Sequence, residues 1–217
     1  GSEMCIRDSL STMHQSSLGS LYLIVPGKLY PLWYSPLIPA FFLISAVAAG
    51  MCVVIVESFF SAKILHRGLE TPLMADLGRA AAVVLFLYLV VKFADLAVRG
   101  HLHLVLVPNL QGFSFLLEMV VGAALPAIML SFEGFRNEPK GLLAASLLVM
   151  MGVVLNRINV CWIGMDVSDQ LHYYPTWMEI ALSLAFITAG TIVFLLAVHY
   201  LPIFPKAEEE EAVGVPA

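Results

Sequence analysis

LIPAFFLISAVAAGMCVVIVESFFSA, residues 37–62, is apolar at almost every position and carries a single charged residue, Glu57. A run of about 20 apolar residues is long enough to cross the hydrocarbon core of a bilayer as a helix. Four further runs of this kind follow, at residues 77–97, 113–132, 141–161 and 179–201. The sequence therefore predicts an all-α fold, a polytopic transmembrane bundle with about five spanning helices.

The composition of the whole chain indicates the same class of protein. Of its 217 residues, 60% are hydrophobic and 12% are charged, and the mean hydropathy is +0.89. A soluble domain has about 45–50% apolar and about 25% charged residues. Basic residues are few and scattered, so we expect membrane lipid and no nucleic acid as a partner. The three cysteines are far apart and form no CxxC motif, so we also expect no metal site.

The two ends of the chain differ from its apolar middle. Residues 1–20 are polar and rich in serine, and we expect them to be a non-native or disordered segment outside the fold. The transmembrane helical domain then covers 21–205. Residues 206–217, KAEEEEAVGVPA, are expected to form an acidic disordered tail.

Charge in the connecting segments predicts the orientation of the spans. Most basic residues in short loops or at helix ends fall on one face, and these are Lys63, Arg67, Arg79, Arg136, Lys140 and Lys206. The positive-inside rule makes this face, and with it the C-terminal tail, cytoplasmic. Segments 21–35, 98–112 and 162–178 then face outward, where Trp33 and Trp162 belong to a predicted aromatic belt.

Polar groups inside the spans concentrate near the outer face. Asp95 and Arg99 lie in the second span, Glu118 in the third, and Arg157 with Asn159 in the fourth. An ionisable group within a span costs roughly 2.5–3.5 kcal/mol on insertion scales, which suggests a function or a specific partner. Asp95 and Arg99 have the spacing of an intrahelical pair. Glu118 has no basic neighbour one turn away, so Arg99 or Arg157 is its expected partner across the bundle.

Other polar residues have simpler interpretations. Lys92 can extend outward along its helix to the interface. Thr176 and Glu179 have the spacing of a capping box, and we assign them a structural capping role at the start of the fifth span. Pro126, with Gly122 one turn earlier, predicts a kink in the third.

The positions of the histidines argue against a haem in this chain. A membrane cytochrome needs axial ligands within its helices. His101, His103 and His172 fall in predicted outer loops, and His66 and His199 fall at the cytoplasmic ends of helices. No two of them face each other at mid-depth, so we predict no haem.

The outer cluster of carboxylates, arginines and asparagines suits a small polar head on an apolar tail. A quinone fits this description, because its carbonyls accept hydrogen bonds and carboxylates can deliver the two protons of its reduction. The same charges would suit a salt-bridge gate in a transporter or channel segment. They would also suit a purely structural membrane anchor, and the residue pattern leaves all three open.

Five blocks of sequence, in order and with similar spacing, resemble the NrfD/polysulfide-reductase membrane-subunit family. The blocks are LYPLWYSPLIPAFFLISAVAAGMCVVIVES (29–58), VKFADLAVRG (91–100), FLLEMVVGAALPAIML (115–130), NRINVCWIGM (156–165) and YYPTWMEIALSL (173–184). The branch looks like the HybB-like, Ni/Fe-hydrogenase cytochrome b-type subunits. Relatives in this branch are nearer twice this length, so the chain resembles a C-terminal portion.

The resemblance implies an integral subunit of a multi-subunit respiratory oxidoreductase in the bacterial cytoplasmic (inner) membrane, either non-catalytic or quinone-reactive. It implies a ferredoxin-like iron–sulfur partner and a hydrogenase or molybdopterin catalytic subunit on the outer face. Menaquinone or ubiquinone would be the bound substrate, and some members are proposed to couple its reaction to proton translocation. The positions that it marks as quinone or proton-relay candidates are Glu57, Asp95, Arg99, Glu118, Arg157 and Asn159.

Overall fold

The computed structural model describes residues 14–24, 27–65, 71–165 and 176–200, and the regular structure in these ranges is entirely helical. Its five long helices, labelled α1 to α5, are Ile38–Leu65, Thr71–Val98, Leu110–Ser131, Pro139–Cys161 and Trp177–Tyr200. Each contains a stretch that is long and apolar enough to cross a membrane. The predicted all-α fold with about five transmembrane helices is confirmed.

The chain divides into two compact units, residues 1–171 and 172–217. The first unit contains α1 to α4, and the second contains α5. At the start of α5, the carbonyl of Thr176 accepts hydrogen bonds from the backbone N–H groups of Glu179 and Ile180. Thr176 therefore directly precedes the helix, while the side-chain bonds of a capping box between Thr176 and Glu179 stay a prediction.

Two helices begin at least three residues earlier than their apolar runs indicate. α2 begins at Thr71, so Asp76 belongs to its first turns. α3 begins at Leu110 because Asn109 caps it, with Oδ1 accepting the N–H of Gly112 at 2.6 Å. An apolar run marks only the part of a helix within the hydrocarbon layer, whereas caps determine where the helix starts.

In the first unit, α1 packs against α2 and α4, and α3 packs against the same two helices. The buried residues of α2 recur every three or four positions, and they include Ala75, Gly78, Ala81, Leu85, Tyr88, Lys92 and Leu96. The buried face of α4 is similar and includes Ala145, Val149, Gly152, Asn156 and Asn159. Small residues on these faces let the helix backbones approach closely, as is common in membrane bundles.

The backbones of α3 and α4 come close together at two glycines, Gly122 and Gly152. A Cβ added to Gly152 would lie 2.3 Å from the Cα of Gly122, and one added to Gly122 would lie 2.4 Å from the Cα of Gly152. Neither position has room for a side chain. This contact brings the polar residues of α4 against those of α3.

The middle of α3 departs from α-helical geometry. Residues Glu118–Ala124 form a π-helix, and the N–H of Leu125 donates to the carbonyl of Val120. Pro126 follows at once and has no N–H to give to the carbonyl of Gly122. Pro126 thus closely follows a π segment, and such segments are frequent at functional sites. The kink expected at Pro126 stays a prediction.

The core of the first unit has two apolar clusters along the bundle. One contains Trp33, Phe41, Tyr88, Leu96, Phe115 and Met119. The other contains Ala48, Cys52, Leu85, Ala127, Leu130 and Val149. We call the end that holds the first cluster the Trp33 end. Residues 27–37 fold over it, and the backbone N–H of Tyr30 donates to the carbonyl of Gly164 at 2.7 Å.

Several expectations concern the terminal parts of the chain. Residues 14–21, mostly within the segment expected to lie outside the fold, form a short helix. Residues 1–13, the acidic tail 206–217, His66 and the side chain of His199 lie outside the described part of the structure.

Candidate functional site

Glu118 lies at the centre of a polar cluster within the first unit. Glu118 is the first residue of the π segment, and only 2% of it is exposed. Oε1 accepts a hydrogen bond from Nδ2 of Asn156 at 2.7 Å. Oε2 accepts two, from Nδ2 of Asn159 at 2.7 Å and from Nε1 of Trp33 at 3.1 Å. Three side chains from two parts of the chain, α4 and the segment before α1, thus donate to one buried carboxyl group.

The directions of these three bonds follow from the other contacts of the donors. Arg157, which can only donate, bonds to Oδ1 of Asn156 at 2.7 Å, so the amide NH2 of Asn156 must face Glu118. The carbonyl of Ser114, which can only accept, takes a hydrogen bond from Nδ2 of Asn159 at 3.3 Å. The indole N–H of Trp33 is a donor only. Asn156, Asn159 and Trp33 therefore each donate an N–H group to Glu118.

Arg157 supports the cluster from α4. Its Nη2 donates to Oγ of Ser45 at 3.1 Å and to the carbonyl of Phe42 at 3.3 Å. Its guanidinium also lies 3.6 Å from the centroid of the Phe42 ring. The expected direct bond from Arg157 to Glu118 is not seen, because Asn156 stands between them.

Lys92 points into the bundle. Only 2% of the residue is exposed, and its Nζ lies 4.6 Å from the ring centroid of Phe41 and 6.0 Å from that of Phe115. The prediction that Lys92 extends outward to the interface was wrong. The reason is its position on α2, one turn from Tyr88 and Leu96 on the buried face.

A small cleft borders Glu118. Its polar lining residues are Ser45, Tyr88, Glu118 and Asn156. Its apolar lining comes from Leu85, Met119, Gly122, Ala123, Gly152 and Val153. A few polar groups in apolar walls are typical of ligand pockets, so the lining has the character of such a site.

Asp95 and Arg99 form a separate network at the Trp33 end. Arg99 Nη2 and Asp95 Oδ2 are 2.6 Å apart, and Asp95 Oδ1 accepts from Oγ of Ser35 at 3.0 Å. Arg99 Nη1 donates to the carbonyl of Pro31 at 3.0 Å and also to that of Tyr34. The intrahelical pairing expected of these two residues is present, and their hydrogen bonds hold residues 31–35 instead of reaching Glu118.

Tyr22 provides a second attachment of the N-terminal segment. Its hydroxyl and the Sγ of Cys161, at the end of α4, are 2.8 Å apart. Burial and this contact raise the pKa of the Tyr22 hydroxyl, which therefore stays protonated. The segment before α1 is thus attached to α4 as well as to α2.

The other predicted site residues lie apart from the cluster. Glu57 is exposed and sits on α1, roughly 18 Å along the helix axis from Ser45 at 1.5 Å per residue. Thr176 and Glu179 belong to the second unit. Of the six quinone or proton-relay candidates, the structure brings together Glu118, Arg157 and Asn159.

Sequence reasoning missed four residues near Glu118. Trp33, assigned to an aromatic belt, is 1% exposed, so this prediction was wrong. Lys92 was expected at the interface, and Asn156 and Tyr88 were given no role. For Asn156 a signal did exist, because residues 145, 149, 152 and 156 share one helical face, and the first three of them are small or apolar.

Comparison with known proteins identifies relatives of the whole chain. The family model described as polysulphide reductase, NrfD, matches residues 22–167. A protein of Nitratidesulfovibrio vulgaris is 36% identical over 205 residues, which cover 89% of this chain and 52% of that protein. The probable Ni/Fe-hydrogenase 2 b-type cytochrome subunit of Escherichia coli is 28% identical over 93% of this chain and 52% of its own length. The integral membrane subunit of menaquinone reductase from N. vulgaris is 28% identical over 92% and 53%.

The chain thus spans about half the length of the curated relatives it matches. No solved structure matches it. The name of the E. coli relative refers to a b-type cytochrome, but helices α1 to α4 contain no histidine, the side chain most expected to bind haem iron. The residues of this bundle therefore do not fit a haem, and we assign none to it.

Proposed function

Because the chain belongs to the NrfD polysulphide reductase family and is a multi-pass membrane protein, we propose that it is a subunit of a respiratory oxidoreductase that exchanges electrons with the quinone pool. The observation that carries the proposal is the buried Glu118 carboxyl group beside a small cleft with largely apolar walls. The menaquinone reductase relative supports the choice of a quinone, with menaquinone or ubiquinone as the bound substrate.

The quinone ring would occupy the cleft, whose lining residues lie on α1, α2, α3 and α4. Tyr88 lines it and carries a hydroxyl group, the kind of donor that a quinone carbonyl accepts. The hydroxyl hydrogen of Ser45 is already donated to the carbonyl of Phe42. The apolar lining suits the faces of the ring. The isoprenoid tail would leave between the helices towards lipid.

Glu118 would exchange protons with the bound head. When a quinol is oxidised, its two O–H bonds break, and its electrons leave for a redox centre in a partner subunit. The Glu118 carboxylate accepts one of these protons and the other passes to water. In quinone reduction Glu118 returns one proton and water supplies the second. Asn156, Asn159 and Trp33 hold the carboxyl group in place, and Arg157 orients Asn156.

The electron partner would be a ferredoxin-like iron–sulfur subunit, docked on the outer face together with a hydrogenase or molybdopterin catalytic subunit. The names of the hydrogenase and menaquinone reductase relatives support a membrane subunit that assembles with other subunits of a redox complex. The iron–sulfur partner and the bacterial cytoplasmic membrane are part of this proposal. With the C-terminal tail in the cytoplasm, the Trp33 end would face outward. Proton release there and uptake from the Glu57 side would couple the reaction to proton translocation.

The decisive experiment replaces Glu118 by Gln in the intact complex in native membranes. General acid–base groups contribute 10²–10⁴-fold to rates, so we expect quinone-linked turnover to fall on the order of 100-fold. Electron transfer from the catalytic partner to a soluble dye should be unchanged, as should the amount of assembled complex.

Glu133→Gln is the matched control, because the side chain of Glu133 is 82% exposed and lies outside the cluster. It should leave quinone-linked turnover at the wild-type level. Normal quinone-linked turnover in an assembled Glu118→Gln complex would exclude the proposed proton exchange at this site.

A further inference from the structure

We propose that Lys92 is the counter-ion of Glu118 and keeps its carboxyl group ionised in the resting protein. Both residues are 2% exposed and both lie at the Trp33 end of the bundle, where Lys92 faces Phe41 and Glu118 bonds to Trp33. Phe115 lies beside both of them, since its ring is 6.0 Å from Lys92 Nζ and it is one turn from Glu118 on α3. Lys92 would act on the chemistry only through Glu118, as a positioning residue.

The hydrogen bonds of Glu118 are the first argument. A protonated carboxyl group carries an O–H donor and needs an acceptor nearby, whereas a carboxylate only accepts. The bonds from Asn156, Asn159 and Trp33 all run towards Glu118. The amides of Asn156 and Asn159 cannot turn round without breaking their bonds to Arg157 and to the Ser114 carbonyl. These hydrogen bonds therefore favour the ionised form, against the effect of burial.

Charge balance is the second argument. A buried carboxylate needs a compensating charge, because burial of an isolated ion is unfavourable by several kcal/mol. Lys92 needs one as well. Its Nζ faces the rings of Phe41 and Phe115, and no hydrogen bond to Nζ is found among the residues that the structure describes. Aromatic faces attract a cation without neutralising it, so Glu118 is the anion available to it.

The other charged groups near the pair are Asp95, Arg99 and Arg157. Asp95 on α2 bonds to Arg99, which directly follows that helix. Tyr88 on α2 is a phenol, which is ordinarily uncharged at neutral pH. On α4, Arg157 reaches the pair only through Asn156. The segment before α1 contributes Tyr22, which stays protonated in its contact with Cys161. The described part of α1 has its charged residues, Glu57 and Lys63, towards the opposite end.

The consequence for the reaction rests on the proposed function. An ionised Glu118 is ready to accept a proton from a quinol hydroxyl. Once it is protonated, the charge of Lys92 is no longer balanced, which favours release of the proton. Lys92 would thus keep the carboxyl group from remaining protonated between turnovers.

Infrared difference spectroscopy of the purified complex at neutral pH, without added quinone, tests the pair directly. Wild type and Glu118→Gln should have the same spectrum in the region where protonated carboxyl groups absorb. Lys92→Met should gain such a band, sensitive to D2O, and the double variant Lys92→Met/Glu118→Gln should lose it. Lys92→Arg keeps a cation and should resemble wild type.

Lys63→Met is the matched control, since it removes an exposed lysine in the last turn of α1 and should gain no band. A protonated-carboxyl band that wild type has and Glu118→Gln lacks would overturn the proposal. So would the absence of a new band in Lys92→Met, or in Lys92→Gln if the methionine variant does not accumulate. These results hold whether or not a quinone binds, so they are separate from those for the proposed function.

Discussion

Arg157 determines which way the Asn156 amide points. Its Nη1 donates to Oδ1 of Asn156 at 2.7 Å, and the NH2 of the same amide donates to Glu118 at 2.7 Å. The arginine on α4 thus acts on the carboxyl group of α3 through a residue that has no charge. An arginine in a membrane helix can therefore orient a hydrogen-bond donor towards a buried acid without forming a salt bridge with that acid.

Arg157→Met should weaken the cluster without removing a reacting group. The amide of Asn156 loses its fixed orientation, and one hydrogen bond to a charged group contributes roughly 1.5 kcal/mol. We expect quinone-linked turnover to fall about tenfold, measured in native membranes and normalised to assembled complex. The exposed Arg79 is the control, and Arg79→Met should be neutral. Equal turnover in the two variants would contradict the role of Arg157.

Trp33→Phe separates packing from hydrogen bonding. A phenylalanine ring can keep the edge-on contact of Trp33 with Phe115, whose ring centroids are 6.0 Å apart, but it lacks the N–H that reaches Glu118. The loss of this donor should reduce quinone-linked turnover severalfold, with assembly preserved. Trp177→Phe, at a position that is 75% exposed, should have no effect. If Trp33→Phe turns over at the wild-type rate, the indole N–H is not needed.

Gly152→Ala should destabilise the bundle. The new Cβ would lie 2.3 Å from the Cα of Gly122 and 2.5 Å from its carbonyl oxygen, so α3 and α4 must move apart. Overpacking of this kind costs roughly 1–3 kcal/mol, which a lower Tm in detergent would reveal. Gly50→Ala on α1 has nothing within 4 Å of its new Cβ and should be neutral or stabilising. An unchanged Tm for Gly152→Ala would show that the two backbones are farther apart.

The Asp95–Arg99 pair should affect stability more than chemistry. Arg99→Met leaves a largely buried carboxylate and should destabilise the protein by roughly 3 kcal/mol. Asp95→Asn/Arg99→Met removes both charges and should lose less than the two single variants together, measured by thermal unfolding. Turnover per assembled complex should stay within about twofold of wild type, because neither residue reaches Glu118. A loss as large as that of Glu118→Gln would place the pair in the redox site.

The parts of this protein that the sequence predicts are those that depend on a single helix. The apolar runs predict α1 to α5, because the bilayer requires a minimum length from each span independently of the others. Glu118 stands out for a similar reason, since one acid in an apolar helix is unusual whatever surrounds it. Pro126 likewise marks an irregular turn through its own missing N–H.

Trp33 and Lys92 could not be placed in this way. Both occur near a helix end, where the same residue types either extend to the interface or turn inward. Which of the two directions these side chains take depends on residues 27–37, which pack over the Trp33 end. That fold in turn depends on Arg99 reaching two backbone carbonyls, an interaction with no sequence pattern of its own.

The way in which Arg99 holds this segment has a consequence for evolution. At positions 31 and 34 Arg99 bonds to main-chain carbonyls, which every amino acid supplies, so changes of side chain at Pro31 and Tyr34 leave these bonds intact. Trp33 and Ser35 instead contribute their side chains, to Glu118 and Asp95. Selection should therefore act unevenly along these few residues, with substitutions accumulating at 31 and 34 while 33 and 35 remain unchanged.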